Sequence, residues 1–119
     1  MRDYKQFLVW QKGHELTLAI YKNTEGFPKQ EQYGLTSQIR RAAYSIPANI
    51  AEGAGRISET EFARFLEIAL GSANEVSYFF LLAHDLNYFQ TSIYHQLSTN
   101  IDEIQRMLRA FITKLKAKS

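Results

Sequence analysis

The stretch that decides the fold is residues 97–115, which read LSTNIDEIQRMLRAFITKL. Its apolar side chains recur every three or four residues, and this spacing places them on one face of an α-helix. The members of the stripe are Leu97, Ile101, Ile104, Leu108, Phe111, Ile112 and Leu115. The pattern predicts an amphipathic helix from about Ser92 to Lys116, and such a helix needs other helices to cover its stripe.

Three earlier segments show the same helical spacing. The pattern predicts helices over about residues 9–24, 33–52 and 59–86, whereas no segment has the sustained alternation of a β-strand. The predicted fold class is therefore all-α. Short loops between four helices favour an antiparallel up-down-up-down four-helix bundle. The length of the chain predicts that residues 1–119 form a single domain.

Local signals predict where these helices begin and end. Ser58 followed by Glu61 is a capping-box pair for the start of the third helix. Asn87 can take the left-handed conformation that ends that helix, and Gly53 is expected to end the second helix in the same way. Pro47 lies inside the second helix without a backbone N–H, so we expect a kink near residues 43–45.

The composition favours a soluble cytoplasmic protein. The chain contains no Cys, which excludes disulfides and cysteine-ligated metal sites. The longest nearly unbroken apolar stretch, residues 76–83, is far shorter than the ~20 residues of a membrane-spanning helix. We therefore expect no contact with a membrane.

The third predicted helix carries more apolar surface than one bundle stripe requires. Tyr78 and Leu82 point nearly opposite its core stripe, and Ser37, Ser45 and Ala48 are small residues opposite the core face of the second helix. Apolar patches on such second faces mark contact sites, so these five residues are predicted to form a homo-oligomer interface. The alternative is that Tyr78 and Leu82 are scattered surface residues beneath a loop.

The net charge of +2 is small, but its distribution is uneven. Residues 104–119 carry five Lys or Arg and no acid. In an up-down-up-down bundle they share one end with the N-terminus and with the loop between the second and third helices. A basic surface there can bind a phosphate backbone through counterion release, although a solvated basic helix C-terminus explains the same charges. The predicted nucleic-acid contacts are Arg40, Arg41, Arg56, Arg106, Arg109 and Lys116, of which Arg40 and Arg41 could equally lie at a subunit interface.

The chain lacks the usual signatures of catalysis. None of His14, His84 and His95 has the Glu three residues earlier that di-metal helical bundles use, and there is no Gly-x-Ser-x-Gly nucleophile motif. We therefore predict no catalytic residue, no metal site, no cofactor and no enzymatic activity. Asn49, Ser72 and Glu75 border the core stripes, and Gln38 lies on the same flank as Asn49; these polar residues are expected to join a hydrogen-bond network between helices.

Residues 35–53, LTSQIRRAAYSIPANIAEG, carry a resemblance to a known family. Together with Val9-Trp10-Gln11-Lys12 and the later Ile68-Ala69-Leu70-Gly71-Ser72, they resemble the four-helix-bundle proteins encoded within intervening sequences of bacterial 23S ribosomal RNA genes. The likeness extends over about residues 6 to 115. The sequence departs from the family pattern at Gly13, Tyr44 and Asn87.

The resemblance implies an up-down-up-down bundle that assembles as a homopentamer, without a known enzymatic activity. Relatives that accompany diversity-generating retroelements bind nucleic acid and a reverse transcriptase through a basic surface. We therefore predict a non-enzymatic homo-oligomer that binds RNA or DNA, or a nucleoprotein, through its basic surface. The alternative is a scaffold that recruits another protein, such as a nucleic-acid-processing protein, and never touches nucleic acid.

Overall fold

Four α-helices account for most of the chain in the computed structural model, which describes residues 2–118. Two short 3₁₀ turns lie at Tyr4–Gln6 and Lys29–Glu31. The helices are α1 (Leu8–Asn23), α2 (Leu35–Ala54), α3 (Glu59–Asp85) and α4 (Thr91–Lys118). Each helix end lies within two residues of its predicted position, and residues 2–118 contain no strand. The predicted all-α class is confirmed.

The helices pack around one apolar core as a bundle. Helix α2 lies next to α1 and α3, and α4 lies next to α3 and, more sparsely, α1, whereas the backbones of α2 and α4 do not approach closely. The stripe on residues 97–115 faces the core, with six of its seven side chains buried and Phe111 half-buried. Phe62 and Phe80 of α3 are the largest side chains that are fully buried. The molecule measures 45 × 23 × 20 Å.

Both predicted signals at the ends of α3 are confirmed. The Ser58 hydroxyl accepts a hydrogen bond from the backbone N–H of Glu61 at 3.1 Å. Asn87 adopts a left-handed φ of 63°, and the next amide, that of Tyr88, donates to the Ala83 carbonyl at 2.8 Å. This pattern is the Schellman motif, which satisfies carbonyls that the helix end would otherwise leave free.

The prediction that Gly53 ends α2 in a left-handed conformation is wrong. Gly53 is buried inside α2, and no glycine among residues 2–118 has a positive φ. A Cβ atom at Gly53 would lie 2.7 Å from Cβ of Phe65 and 2.9 Å from Cδ1 of Phe62. The glycine is therefore required by the close approach of α2 to α3, and sequence spacing does not distinguish this role from a cap.

Pro47 lies within a continuous α2, and a neighbouring helix compensates for its missing amide. The proline leaves the Ala43 carbonyl without its helical donor. The buried hydroxyl of Thr17 on α1 lies 3.2 Å from that oxygen and 2.8 Å from the Gly13 carbonyl. A Cβ atom at Gly13 would lie 3.2 Å from Cγ2 of Ile46. Gly13 thus allows α1 to approach the turn that contains the proline.

Helix α3 is long and apolar enough, by length and composition, to cross a membrane. A core helix of a bundle satisfies the same test, because its buried side chains are apolar. Eight side chains of α3 are buried against the other helices. Its exposed positions also include the charged residues Glu61, Arg64, Glu67 and Glu75.

Candidate nucleic-acid interface

The structure does not bring the six predicted nucleic-acid contacts together. Arg40 and Arg41 lie on α2, whereas Arg106, Arg109 and Lys116 lie on α4, whose backbone does not approach α2 closely. Arg56 lies between them in sequence, in the loop that joins α2 to α3. The six cations are therefore spread over two helices and a loop.

Arg56 and the nearby Arg2 support the corner where α2 turns into α3. The Arg2 guanidinium donates to the carbonyls of Ala54 at 3.3 Å and Arg56 at 2.5 Å, and it forms an ion pair with Glu59. The Arg56 guanidinium lies 4.7 Å from the ring centroid of Phe65 and pairs with Glu52 at 3.4 Å. These contacts hold the corner together, and they reduce the charge available to a ligand.

Arg2 was not among the predicted site residues, and its structural role is not visible in the sequence. Two lysines also pair with acids on other helices. Lys12 pairs with Glu103 at 3.1 Å, and Lys116 pairs with Glu67 at 2.9 Å. Helix packing brings residues together that are far apart in the chain, so no local charge pattern could have indicated these pairs.

Arg40 is held within the chain. Its Nε donates to the Thr24 hydroxyl at 2.9 Å, one of its terminal nitrogens donates to the Tyr21 carbonyl at 3.3 Å, and its guanidinium lies 4.6 Å from the Tyr21 ring centroid. Arg41, the next residue, is exposed, and its side chain makes no hydrogen bond or ion pair within residues 2–118. Arg41 is therefore accessible to a ligand, whereas the adjacent Arg40 is engaged within the chain.

The second half of α4 carries the densest accessible positive charge. Arg106 and Arg109 are exposed and, within the described part of the chain, are not in an ion pair. Lys114 and Lys118 are also exposed on the same helix, and residues 104–118 contain no Asp or Glu. The two arginines, at i and i+3, lie on neighbouring positions of one helix face. This surface, called here the α4 basic face, consists of Arg106, Arg109 and Lys116, which lie within one narrow face of the helix.

The five predicted interface residues occupy different environments. Tyr78 is 56% exposed, and Ala48 is also exposed, whereas Leu82 is half-buried and packs against the core. Ser37 is half-buried on α2. The predicted position of Ser45 opposite the core face is wrong, because its hydroxyl lies 2.8 Å from the Ser72 hydroxyl on α3.

Ser45 belongs to the polar network that the sequence predicted between α2 and α3. The Asn49 amide donates to the Ser45 carbonyl at 2.8 Å and to the Ser45 hydroxyl at 3.0 Å. The Ser45 hydroxyl in turn contacts Ser72. The expected participation of Asn49 and Ser72 is confirmed, with Ser45 as the link between them, whereas Gln38 and Glu75 are exposed and their side chains make no hydrogen bond within residues 2–118.

The histidines and acids form no group of three that could hold a metal ion within residues 2–118. His14 stacks on Trp10 with ring centroids 5.1 Å apart, and His84 stacks on Tyr94 at 4.3 Å. A hydrogen bond to Glu31 and partial burial raise the pKa of Tyr88. Each of these side chains has a contact within the bundle.

The fold and the charge distribution define a class of protein: a small helical bundle with a basic face on its last helix. The chain belongs to the family of 23S rRNA-intervening sequence proteins, whose family model matches residues 5–110. The predicted resemblance is confirmed.

A solved structure from Bacteroides thetaiotaomicron, of a protein with unknown function from the S23 ribosomal protein family, has the same fold. It is 30% identical to this chain with a TM-score of 0.80, and the match covers 88% of this chain and 98% of that one. No curated protein matches the sequence.

Proposed function

We propose that this protein is a non-enzymatic homo-oligomer that binds nucleic acid through the α4 basic face. The observation that carries the proposal is the exposure of Arg106 and Arg109 on a helix half without acids. Unpaired cations on a protein surface release condensed counterions from a phosphate backbone when they bind it, and this effect needs no base-reading motif. Repetition of the face in a symmetric oligomer multiplies a modest charge per chain.

The proposal treats the bundle as antiparallel, with an up-down-up-down order. Contacts between successive helices support this order, because residue numbers fall along one helix as they rise along its neighbour. The supporting pairs are Thr17–Ala43 and Thr24–Arg40 for α1 and α2, Ser45–Ser72 and Gly53–Phe65 for α2 and α3, and Asn74–Gln105 and Glu67–Lys116 for α3 and α4.

The test compares the salt dependence of binding in two double variants. Fluorescence anisotropy with a labelled duplex measures the association constant from about 50 to about 200 mM salt. In Arg106→Ala/Arg109→Ala, the slope of log K against log salt should become shallower by about 0.9 for each phosphate that the variant no longer neutralises. Arg106→Lys/Arg109→Lys keeps both charges and should keep the slope. Absence of binding at low salt, or an unchanged slope in the alanine variant, contradicts the proposal.

The proposed oligomer, which the family resemblance makes a pentamer, uses the outer side of α3. Ile68, Gly71 and Tyr78 are exposed there at helical spacing, and no atom lies within 4 Å of the Cβ position at Gly71. Apolar side chains around an open position suit a second copy of the chain. Sedimentation velocity should give a species several times heavier than the 13.8 kDa chain, and Tyr78→Glu should shift it toward the monomer. A monomer at high protein concentration contradicts the oligomer.

A protein-interaction scaffold is the second candidate, and the same exposed apolar side chains favour it. Leu81 and Leu86 extend the apolar surface of α3 toward its C-terminal end. If this surface recruits another protein, the partner should remain bound after nuclease treatment and should be lost in Leu81→Glu. Loss of the partner on nuclease treatment contradicts the scaffold and favours nucleic acid as the link.

A further inference from the structure

A shallow cleft with aromatic walls lies where α1 ends and α2 begins. Its volume is about 390 Å³, and Tyr21, Tyr33 and Tyr44 line it. These side chains are 41%, 88% and 45% exposed, respectively. Three accessible aromatic rings around one concavity offer flat apolar faces to a ligand, and a phenol exposed as fully as Tyr33 contributes little to the core. We call this surface the Tyr33 cleft.

The cleft combines its rings with two guanidinium groups in different states. Arg40 lies over the Tyr21 ring and donates to Thr24 and to the Tyr21 carbonyl, so it fixes that wall of the cleft. Arg41 also lines the cleft, and its guanidinium is not engaged by another described residue. A free guanidinium among exposed rings can bind a phosphate by two parallel hydrogen bonds.

We propose that the Tyr33 cleft binds unpaired nucleotides of a single-stranded nucleic acid. Bases stack on Tyr33 and Tyr44, and Arg41 holds a backbone phosphate. Base stacking on aromatic side chains beside a cation is a common mode of single-strand recognition. Bases inside a duplex have both faces covered by their neighbours, so the cleft discriminates single strands from duplexes. This inference rests on the proposed function, and it assigns a preference for single strands to a surface separate from the α4 basic face.

The test uses two probes that share a backbone and differ in their bases. One is a labelled oligothymidylate of about 10 nucleotides, within the usual site size of single-strand binders. The other is an abasic oligomer of the same length, which keeps the phosphates and removes every stacking surface. The protein should bind the thymidylate more tightly, by about 5- to 150-fold for each base that stacks. In Tyr33→Leu/Tyr44→Leu the two probes should bind almost equally.

Tyr33→Phe/Tyr44→Phe is the matched control, because it retains both rings and should retain the preference for the thymidylate. Equal binding of both probes by the unaltered protein, or a preference that survives the leucine variant, overturns the Tyr33 cleft as a nucleotide site. A lighter species in sedimentation of the leucine variant also overturns it, since the tyrosines would then be a subunit contact.

The two proposals fail in distinguishable ways. If both probes and a duplex fail to bind at low salt, nucleic-acid binding itself is wrong. If the two probes bind equally and Arg106→Ala/Arg109→Ala weakens the binding of both, the proposed function stands and the nucleotide site in the Tyr33 cleft does not.

Discussion

At two corners of the bundle, where one helix turns into the next, a single charged side chain bonds to groups on both sides of the turn. The charge is positive at one corner and negative at the other. The Arg2 corner is centred on a guanidinium that donates to the carbonyls of Ala54 and Arg56 and pairs with Glu59. Its three contacts connect the N-terminal segment, the end of α2 and the start of α3. A cation therefore holds the turn from α2 to α3.

The Glu31 corner is centred on a carboxylate instead. One oxygen of Glu31 accepts from the Leu35 amide at 3.2 Å and the other accepts from the Tyr88 hydroxyl at 2.9 Å. The first contact caps the start of α2, and the second joins it to the loop before α4. At this corner an acid has the structural role, and the nearby Arg41 remains accessible.

The difference shows that counting charges is a poor guide to a binding surface. Counted by sign alone, the Arg2 corner is mixed, with Arg2 and Arg56 against Glu52 and Glu59, and both arginines are engaged by groups of the same chain. The Glu31 corner counts as mixed, yet it lies close to the Tyr33 cleft and its free guanidinium. Accessible charge depends on which partners packing supplies, and those partners are distant in sequence.

The largest expected effect is on the close helix contact beside the Arg2 corner. Gly53→Ala places a methyl group 2.7 Å from Cβ of Phe65 and 2.9 Å from Cδ1 of Phe62. Neither neighbour can rotate away, since Phe62 is fully buried and the Phe65 Cβ is fixed to its backbone. Overpacking of this kind should lower the free energy of unfolding by about 1–3 kcal/mol, measured by urea titration.

Gly26→Ala is the control, because Gly26 has no atom within 4 Å of its Cβ position and no positive φ. Alanine there should raise the free energy of unfolding by about 0.4–1 kcal/mol, because it reduces the conformational freedom of the unfolded chain. Equal effects at both positions would mean that the α2–α3 contact is looser than the geometry indicates.

The next effect concerns the guanidinium at the centre of the Arg2 corner. Arg2→Ala removes its two carbonyl contacts and its ion pair, so the free energy of unfolding should fall by about 1–2 kcal/mol. Arg2→Lys keeps the charge and loses the forked geometry, so it should recover little of that stability. Urea titration measures both changes.

Arg41→Ala provides the contrast from the Tyr33 cleft. Its side chain is exposed and unpaired within the described residues, so the free energy of unfolding should change by less than about 0.5 kcal/mol. A destabilisation as large as that of Arg2→Ala would show that the two arginines have similar structural roles, and it would contradict the difference between the two corners.

The sequence predicted the helices well because their stripes, caps and terminators are local. Ser58 and Asn87 act within one turn of their own positions, so their roles were readable from spacing. Gly53 was misread because a cap and a close contact both require glycine, and only the position of Phe65 separates them. Ser45 was misplaced because a small polar residue at the edge of a stripe can face either side.

The candidate site was less predictable than the fold. Arg106 and Arg109 were identified because the absence of acids from residues 104–119 is visible in the chain itself. The engagement of Arg40 depends on Thr24, and that of Lys116 depends on Glu67, and both partners lie on other elements. The Tyr33 cleft went unrecognised because its tyrosines are 11 or more residues apart, and only the packing of α1 against α2 brings them together.

The smallest expected effect is a pH-dependent change in the free energy of unfolding, which tests the hydrogen bond to the acid at the centre of the Glu31 corner. The hydrogen bond from Tyr88 to Glu31, with partial burial and the negative charge, raises the pKa of the Tyr88 phenol above its ordinary value of 10. The folded state therefore holds this proton more tightly than the unfolded state does. The resulting stabilisation is present in full below the unfolded pKa and is lost as the pH rises through the raised folded pKa.

Comparison of the native chain with Tyr88→Phe isolates this contribution. The difference in free energy of unfolding between the native chain and Tyr88→Phe should be constant at neutral pH and should shrink as the pH rises above about 10. Once the Tyr88 phenol loses its proton, it can no longer donate to the Glu31 carboxylate, and the two negative charges face each other. The gap for Arg2→Ala should stay level over the same range, since neither the guanidinium of the native chain nor the Glu59 carboxylate changes charge there and alanine does not titrate. A gap that shrinks for both variants would indicate general alkaline unfolding, and the specific hydrogen bond at the Glu31 corner would then have no part in the effect.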